Sequence, residues 1–404
     1  MSSSESLPRR LPSWLILMGT LTAIGPFSTD MYLPAFPAMA EGLRASLGEV
    51  ERTLTVYFFG LALAQLIYGP LADRYGRKPP LIAGLILYVV SSLGCALAGD
   101  ITTLTGWRVL QALGAAAGMV VPRAVVRDHY TTQDAARALS MMMLVMGLAP
   151  ILAPLIGGQF LPLGWRSLFW VMTAIGLVLL TAAGLTMRES LAPENVHALN
   201  WRTILGNYRG LLRHRGFMAH SLAGGLGQAG LFSYLAASPH LFIEVYGIPA
   251  QYYGLLFGSN ALAFIVGSQV SAYLLRRHAS LVLQRRALNA MAIAALVGLA
   301  LALAGLINLW LAMAYIMVYM FSQGFVNPNS AALALSEQGK RLGSASALMG
   351  TLQYSCGATA TVAVSLWQAH SALPLTTAMA SCACLSWFSG WVARGHHAPT
   401  TAKA

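Results

Sequence analysis

The chain has 404 residues, of which 57% are hydrophobic and only 9% are charged. A soluble globular protein has about 25% charged residues, so this composition excludes a water-soluble fold. The net charge of +12 does not indicate nucleic-acid binding, because the basic residues lie in short, separate loops and do not gather on one soluble face. The composition predicts an all-α polytopic membrane protein.

Apolar runs of about twenty residues recur along the chain, each long enough to cross about 30 Å of hydrocarbon. Charged or Pro/Gly-rich breaks separate them. We place about twelve membrane helices, at residues 14–36, 50–71, 80–98, 102–125, 139–161, 165–187, 217–245, 252–275, 287–306, 309–335, 343–369 and 373–392. The first run continues past signal-peptide length and has no small-residue cleavage site, so we expect it to remain as the first helix.

The loops alternate in basic charge. With this set of helices, both termini and most Lys and Arg residues lie on one side, whereas the other side has only Arg44, Arg52 and Arg166. Lys and Arg are retained on the cytoplasmic side of a membrane. We therefore expect a multi-pass membrane protein with both termini in the cytoplasm.

The longest break, residues 188–216, lies at the middle of the chain. It is basic and amphiphilic, with Trp201, Ile204 and Leu205 among arginines, which predicts a linker at the membrane interface. Residues 1–187 and 217–404 then form two six-helix bundles. Pseudo-symmetric halves of this kind rock around a central site near the bilayer midplane.

Asp30 is the one acidic residue that falls well inside a predicted helix. Pro26 and Pro34 flank it and loosen the helix on either side, as happens where backbone lines a cavity. Because a carboxylate removed from water binds a proton more readily, Asp30 is a candidate proton carrier. The alternative is a carboxylate that caps a helix end near the outer surface.

Arg108 is the matching cation in the fourth predicted helix. At about 1.5 Å per residue from the outer helix ends, Asp30 and Arg108 lie at similar depth. A guanidinium near the carboxylate favours its charged form, and arrival of a substrate could rebalance the two. The alternative is an arginine that extends to the outer interface beside Trp107.

A tight turn at residues 69–79 joins the second and third helices. Gly69 and Gly76 permit the turn, and we expect Asp73 to face the positive N-terminus of a neighbouring helix, with Arg77 or Arg127 beside it. The charges of this turn would latch an inner gate. Basic turns also occur as plain topology signals. The candidate gate residues are Gly69, Asp73, Arg74, Gly76, Arg77, Lys78 and Arg127.

These segments resemble known motifs. Residues 69–78 resemble the signature loop of the major facilitator superfamily, and Arg108 with Gly114 and Gly118 resembles its fourth-helix arginine motif. Residues 149–158 are similar to its fifth-helix antiporter motif, with Ala-Pro where the general pattern has Gly-Pro. The residues of this motif are Pro150, Pro154, Gly157 and Gly158. With the run Asp30 to Ala35 and the pair Arg127-Asp128, the chain resembles the Bcr/CflA branch of drug–proton antiporters.

The resemblance implies the major facilitator fold and a proton-coupled antiporter that exports small, mostly apolar, phenicol-like or bicyclomycin-like drugs by alternating access. It implies that Asp30 and Arg108 carry the proton coupling. The position one or two turns before Asp30 offers only Thr22 and Pro26, so we expect a single titrating site. The motifs lie in the first half of the chain, and the second half resembles the branch only in layout.

We expect a mainly apolar substrate cavity with few polar groups, as is usual for small-molecule sites. Helix packing is an equally good explanation for each candidate. The candidates are Tyr57, Gln111, Met146, Gln228, Tyr253, Phe257, Asn260 and Gln353. The second half has few charged groups, which argues against strongly ionic substrates.

The nearest alternative function is a proton-coupled exporter or symporter of an endogenous metabolite, since a fold does not decide a function. An enzyme would need nucleophile, base or metal ligands at one depth. His220, His240 and His370 lie at separate helix ends, so we expect no enzyme and no metal site. We also expect no cofactor beyond the proton gradient, no nucleic acid, and a monomer in the lipid bilayer. The four cysteines fall in apolar runs and should be free, buried thiols.

Overall fold

The computed structural model describes residues 13–130, 132–191, 201–336, 338, 341–367 and 370–393. The side chains of some residues inside these ranges, Arg127 among them, are not described. The described residues form helices and turns, without a β-strand. The thiols of Cys95, Cys356, Cys382 and Cys384 are free, as predicted. Cys95 and Cys382 are buried, whereas Cys356 and Cys384 are only partly buried, contrary to the prediction.

Long helices account for every predicted span. The helices are α1 (Ser13–Asp30), α2 (Phe36–Gly42), α3 (Leu47–Tyr75), α4 (Lys78–Leu97), α5 (Ile101–His129), α6 (Thr132–Phe160), α7 (Arg166–Thr186), α8 (Trp201–Arg213), α9 (Arg215–Pro239), α10 (Ala250–Leu274), α11 (Ser280–Leu303), α12 (Leu309–Leu335), α13 (Leu342–Leu366) and α14 (Leu373–Val392). Short 3₁₀ turns cover Leu33–Ala35 and Leu161–Leu163, and a π turn covers His240–Val245.

The first predicted helix differs most from the prediction. The helix continues through Pro26, ends at Asp30, and resumes as a 3₁₀ turn and α2. Pro34 and Pro37 lack a backbone N–H, and each lies at the start of one of these new helical segments, where no intrahelical donor is needed. The interruption therefore lies immediately after the carboxylate.

Eight of the long helices in the described part of the chain are apolar enough, by length and composition, to cross a membrane. The other four, α1, α9, α13 and α14, contain many Gly, Ser and Thr residues, which lower their hydropathy. Small and hydroxyl-bearing residues are common where membrane helices pack closely. These four helices are therefore compatible with spans that have much of their surface against protein.

The chain divides into two compact units. Unit 1 comprises residues 1–199 and 235–259, and unit 2 comprises residues 200–234 and 260–404. In unit 1, α5 packs against α1, α3 and α4, and α4 also packs against α7. In unit 2, α11 packs against α12 and α14. The division into bundles at residues 187 and 217 stays a prediction.

The linker contains an amphipathic helix, α8, that belongs to unit 2. Leu211 is fully buried against Phe217 and its neighbours, whereas Leu205 and Leu212 are exposed. Arg202 and Arg209 are also exposed. A helix with one apolar and one basic face is typical of the membrane interface.

Candidate functional site

Asp30 is the last residue of α1 and is only 3% exposed. Its Oδ1 accepts a hydrogen bond from the Thr29 hydroxyl at 2.7 Å. Among the described residues the carboxylate has no ion-pair partner, and its Oδ2 accepts no hydrogen bond. Asp30 does lie at a helix end, as the alternative interpretation had it, but it is buried. A buried charge without a counter-ion is costly, and uptake of a proton removes that cost.

The backbone around Asp30 is fixed by neighbouring helices. The hydroxyl of Ser28 is hydrogen-bonded to the Tyr88 hydroxyl of α4 at 2.7 Å. The hydroxyl of Tyr32 is hydrogen-bonded to Thr53 of α3 at 3.2 Å. Ser28, Tyr88, Tyr32 and Thr53 are all buried. The carboxylate therefore lies between two anchored positions of the first helix.

Arg108 is completely buried in α5. Its guanidinium lies between two aromatic rings, 4.3 Å from the centre of Tyr32 and 4.2 Å from that of Tyr57. Its Nη1 donates to the backbone carbonyl of Ser28 at 3.1 Å and also to Gln111. The interpretation of Arg108 as an arginine that reaches the outer interface is therefore wrong. A cation between two ring faces is stabilised by their quadrupoles, by about 2 kcal/mol where water is excluded.

Two donors of Arg108 are unused. Nε and Nη2 are buried and make no hydrogen bond to any described residue. Buried donors are normally paired, and an unpaired one on a charged group costs more than on a neutral group. The guanidinium can thus accept a further partner without losing its contacts to Ser28 and Gln111. An Asp30 carboxylate in a second conformation, or an acceptor group of a substrate, has the right chemistry.

The predicted loop at residues 69–78 forms an ion network. Helix α3 continues through residues 69–75, so only Gly76 and Arg77 form the turn itself. Arg77 bonds to Asp73 of α3 and, through Nε, to Oδ2 of Asp128 at 2.8 Å. The Arg77 side chain is mostly buried, and Asp73 is about half exposed. Arg74 is exposed, and the side chain of Arg127 lies outside the described residues. The network ties the loop between α3 and α4 to the end of α5.

Glu189, which sequence reasoning missed, caps this loop. Its carboxylate accepts hydrogen bonds from the backbone N–H groups of Arg77 at 2.8 Å and Lys78 at 3.1 Å, at the start of α4. Ser190 and Leu191 donate two more backbone N–H groups to it. Partial desolvation raises the pKa of Glu189, but the backbone donors outweigh it and hold the pKa below its ordinary value of 4.5. An anion at a helix N-terminus is stabilising.

Asp73 was expected to face the N-terminus of a neighbouring helix, but its hydrogen bond goes to Arg77 and the N-terminus of α4 is occupied by Glu189. Gly76 follows the end of α3 with a φ of 91°, which favours glycine, and a Cβ there would overlap the Glu189 carboxylate.

Lys78 extends across to the end of α7 and donates to the carbonyls of Gly184 and Met187. The loop is thus tied to α7 as well as to α5. Nothing lies within 4 Å of a Cβ at Gly69.

Helix α6 carries the residues of the antiporter motif. The helix is continuous through Pro150 and Pro154. A Cβ at Gly157 would overlap the carbonyl oxygen of Met31, so α6 meets the first helix one residue after Asp30. A Cβ at Gly158 would lie 3.5 Å from the carbonyl oxygen of Gln251, at the start of α10. The close contact at Gly157 puts α6 beside the candidate proton carrier.

The cavity candidates fall into separate groups. Tyr57 and Gln111 are fully buried around Arg108, and Gln111 also donates to Ser92 at 2.8 Å. Tyr253 and Phe257 are buried with ring centres 5.7 Å apart, and Met146 is half-buried.

In unit 2, Asn260 is fully buried and donates to Tyr234 at 2.9 Å. Gln228 and Gln353 are half-buried and share a partner, Asn327, which sequence reasoning did not select. The structure thus brings together Tyr57 with Gln111, and Gln228 with Gln353.

Glu51 is a second buried carboxylate that sequence reasoning placed at a helix end. It is 6% exposed and makes no hydrogen bond or ion pair with any described residue. Helix α3 starts at Leu47, capped by Ser46 and Glu49, so Glu51 lies inside its second turn. The Ser-x-x-Glu signature at residues 46–49 is the sequence signal that could have found it.

Comparisons with known proteins identify the family. Residues 18–361 match the Major Facilitator Superfamily. The chain is 36% identical over 347 residues to the uncharacterised MFS-type transporter YdgK of Bacillus subtilis, covering 84% of this chain and 85% of that protein. It is 28% identical over 376 residues to a bicyclomycin resistance protein homolog of Haemophilus influenzae, covering 92% and 94%. A chloramphenicol resistance protein of Pseudomonas aeruginosa is 30% identical over 260 residues, covering 63% and 60%.

Solved structures share the fold. A peptide transporter POT superposes with a TM-score of 0.76 at 15% identity, covering 96% of this chain and 95% of that one. A D-xylose–proton symporter superposes with a TM-score of 0.73 at 13% identity, covering 97% and 99%. At such identities the likeness extends to the fold alone.

Proposed function

This chain belongs to the Major Facilitator Superfamily and is a multi-pass membrane transporter, not an enzyme; from this premise we propose that it exports small, mostly apolar drugs in exchange for protons. The names of its relatives, which include bicyclomycin, chloramphenicol and multidrug resistance proteins, support the substrate class. Membership confirms the family resemblance and the helical fold predicted from the sequence motifs.

The observation that carries the proposal is the state of Asp30. It is buried, it has no counter-ion among the described residues, and its Oδ2 accepts no hydrogen bond from them. Intramembrane acids of this kind mark proton pathways. Arg108, held against the backbone of Ser28, supplies a fixed positive charge on the neighbouring helix.

The proposed cycle is alternating access. With the site open to the cytoplasm, deprotonated Asp30 helps to hold the substrate. With the site open to the other side, a proton binds Asp30, which favours substrate release and return of the empty carrier. Because a ligand shifts a conformational equilibrium only through different affinities for its two states, a titrating carboxylate in the site is what the cycle needs.

The test is substrate-induced proton release from detergent-purified protein. Chloramphenicol, bicyclomycin and tetraphenylphosphonium are added to the wild type, to Asp30→Asn, and to Asp100→Asn as a control, since Asp100 is an exposed residue that caps α5. We expect release from the wild type and the control and none from Asp30→Asn. Full release from Asp30→Asn would sink the mechanism.

The second candidate function is export or symport of an endogenous metabolite on the same fold. Absence of proton release with every drug, together with release on addition of a metabolite extract, would favour it. We further propose a monomer in the bacterial inner membrane with both termini in the cytoplasm. The proton gradient is its only energy source, and no cofactor takes part.

A further inference from the structure

Four amide side chains from three helices of unit 2 form what we call the amide cluster: Gln228 of α9, Gln323 and Asn327 of α12, and Gln353 of α13. Gln323 and Asn327 both donate to Oε1 of Gln228, at 3.3 Å and 2.9 Å. Gln353 donates to Oδ1 of Asn327 at 3.5 Å. Asn327 thus links Gln228 to Gln353 and fixes both.

Two polar atoms of the amide cluster have no partner. Nε2 of Gln228 and Oε1 of Gln353 make no hydrogen bond to any described residue, and neither atom is sealed from solvent. The first is a donor and the second an acceptor. Both side chains are half-buried near the middle of their helices. Free amide groups are not stable against lipid, so they face a polar space.

A third polar atom of the amide cluster, which is sealed from solvent, is also unused. Gln323 is completely buried, and its Oε1 has no hydrogen bond in the described part of the chain. Buried acceptors are normally paired, so a cluster with an unpaired buried acceptor and two accessible unpaired atoms lacks a partner. A ligand with matching donor and acceptor groups would form the hydrogen bonds that the amide cluster lacks.

The helices that carry the amide cluster supply no charged side chain near it. The described residues of α9 beyond His220, together with α12 and α13, include no Asp, Glu, Lys or Arg. Transfer of a charged ligand group from water to this site would be costly, because these helices supply no counter-ion. Next to Gln353, the ring of Tyr354 stacks on Phe232 with centres 5.6 Å apart and offers an apolar surface.

We propose that the amide cluster binds a neutral ligand that carries a hydrogen-bond acceptor and a donor on one planar group, the simplest form of which is a secondary amide. Gln228 donates to the ligand carbonyl, and Gln353 accepts from its N–H. Asn327 is a positioning residue for both. The inference rests on the proposed export of small molecules and narrows the substrates to neutral amide-bearing compounds.

The test compares chloramphenicol, which has a secondary amide, with its amide-N-methylated analogue, by equilibrium binding to the full chain in detergent. In the wild type we expect N-methylation to weaken binding about tenfold, because one hydrogen bond is lost. This arm needs no substitution, so misfolding of a variant cannot obscure it. Equal binding of the two ligands, or binding of neither, would overturn the proposal.

Two substitutions in the amide cluster test which side chains contact the ligand. Gln353→Leu should weaken chloramphenicol binding about tenfold and abolish the difference between the two ligands, as in a double-mutant cycle. Asn327→Leu should reduce that difference and should also weaken binding of the N-methylated analogue, because Gln228, which donates to the carbonyl of both ligands, loses its bond to Asn327. The control is Asn289→Leu, an exposed amide that accepts a hydrogen bond from Trp387 at 2.7 Å and should behave as wild type. A tenfold difference retained in Gln353→Leu would overturn the proposal.

The outcome is separable from that of the proposed function. Asp30-dependent proton release without discrimination between the two ligands would leave proton-coupled export standing and overturn the amide site. Discrimination between the ligands without Asp30-dependent proton release would support the amide site and contradict the proton coupling.

Discussion

Arg108 donates from Nη1 to the backbone carbonyl of Ser28 at 3.1 Å, two residues before Asp30. The buried cation of α5 therefore holds the main chain beside the carboxylate, while no ion pair joins Arg108 to Asp30. Protonation of Asp30 in this arrangement does not break a salt bridge. It changes the charge two residues along the chain from the carbonyl that Arg108 holds, and Arg108 has two unused donors.

Arg108→Lys should reduce substrate-induced proton release by more than about tenfold. Lysine keeps the charge but has no planar group to lie between the rings of Tyr32 and Tyr57 while it donates to Ser28. The measurement is drug-induced proton release in detergent. The matched control is Arg166→Lys, because Arg166 also lies 4.2 Å from an aromatic ring centre, that of Trp165, but is exposed. Equal losses in both variants would contradict a specific role for Arg108.

Glu189→Ala should lower the free energy of unfolding by about 1 kcal/mol, because the N-terminus of α4 loses the carboxylate that accepts from Arg77 and Lys78. The measurement is thermal unfolding in detergent. Glu41→Ala is the control, since Glu41 is exposed on α2. A loss of stability no larger than in Glu41→Ala would contradict the capping role.

The same carboxylate predicts a pH dependence. The backbone donors hold the pKa of Glu189 below its ordinary value of 4.5 in the folded chain. Its contribution to stability is therefore complete above pH 4.5 and is lost as the pH falls through the lower, folded value. The melting temperatures of wild type and Glu189→Ala should converge at acid pH. A difference in melting temperature that stays constant down to the pH of acid unfolding would contradict this role of the Glu189 carboxylate.

Gly157→Ala should lower stability by about 1–3 kcal/mol and impair proton release, because the added methyl group overlaps the carbonyl oxygen of Met31 and pushes α6 away from the segment that carries Asp30. The control is Gly184→Ala in α7, where nothing lies within 4 Å of the added carbon. That variant should be as stable as the wild type or up to about 1 kcal/mol more stable, because alanine favours helix. Thermal unfolding and proton release check both variants.

Glu51→Gln should leave drug-induced proton release intact, because a single carboxylate, Asp30, carries the proton in the proposed cycle. Glu51→Leu should raise the melting temperature, since it removes a buried polar group that has no partner among the described residues. Proton release per bound drug is measured for Glu51→Gln beside the wild type. A halved value would mean that Glu51 is a second proton carrier.

The sequence by itself determined the helical spans and singled out two of the buried charges, Asp30 and Arg108. Hydropathy is a property of a local stretch of sequence, and lipid excludes charged residues from such a stretch. The spans and the charged residues inside them can therefore be recognised without knowledge of how the helices pack. The turn between the second and third predicted helices was also predicted from a local pattern, the glycines and charged residues at fixed spacing in residues 69–78. Glu51 was missed because its helix begins one turn earlier than hydropathy indicated.

Only the tertiary structure determined which residues are hydrogen-bonded to each other. Glu189 accepts a hydrogen bond from the backbone N–H of Arg77, which lies 112 residues earlier in the chain and immediately before α4, and Arg108 reaches a carbonyl 80 residues away at Ser28. The link from Gln353 to Gln228 through Asn327 joins three helices. A hydrogen bond depends on the rotation and depth of each helix against its neighbours. Those are set by side-chain packing between distant segments, which no local pattern of hydropathy or charge encodes.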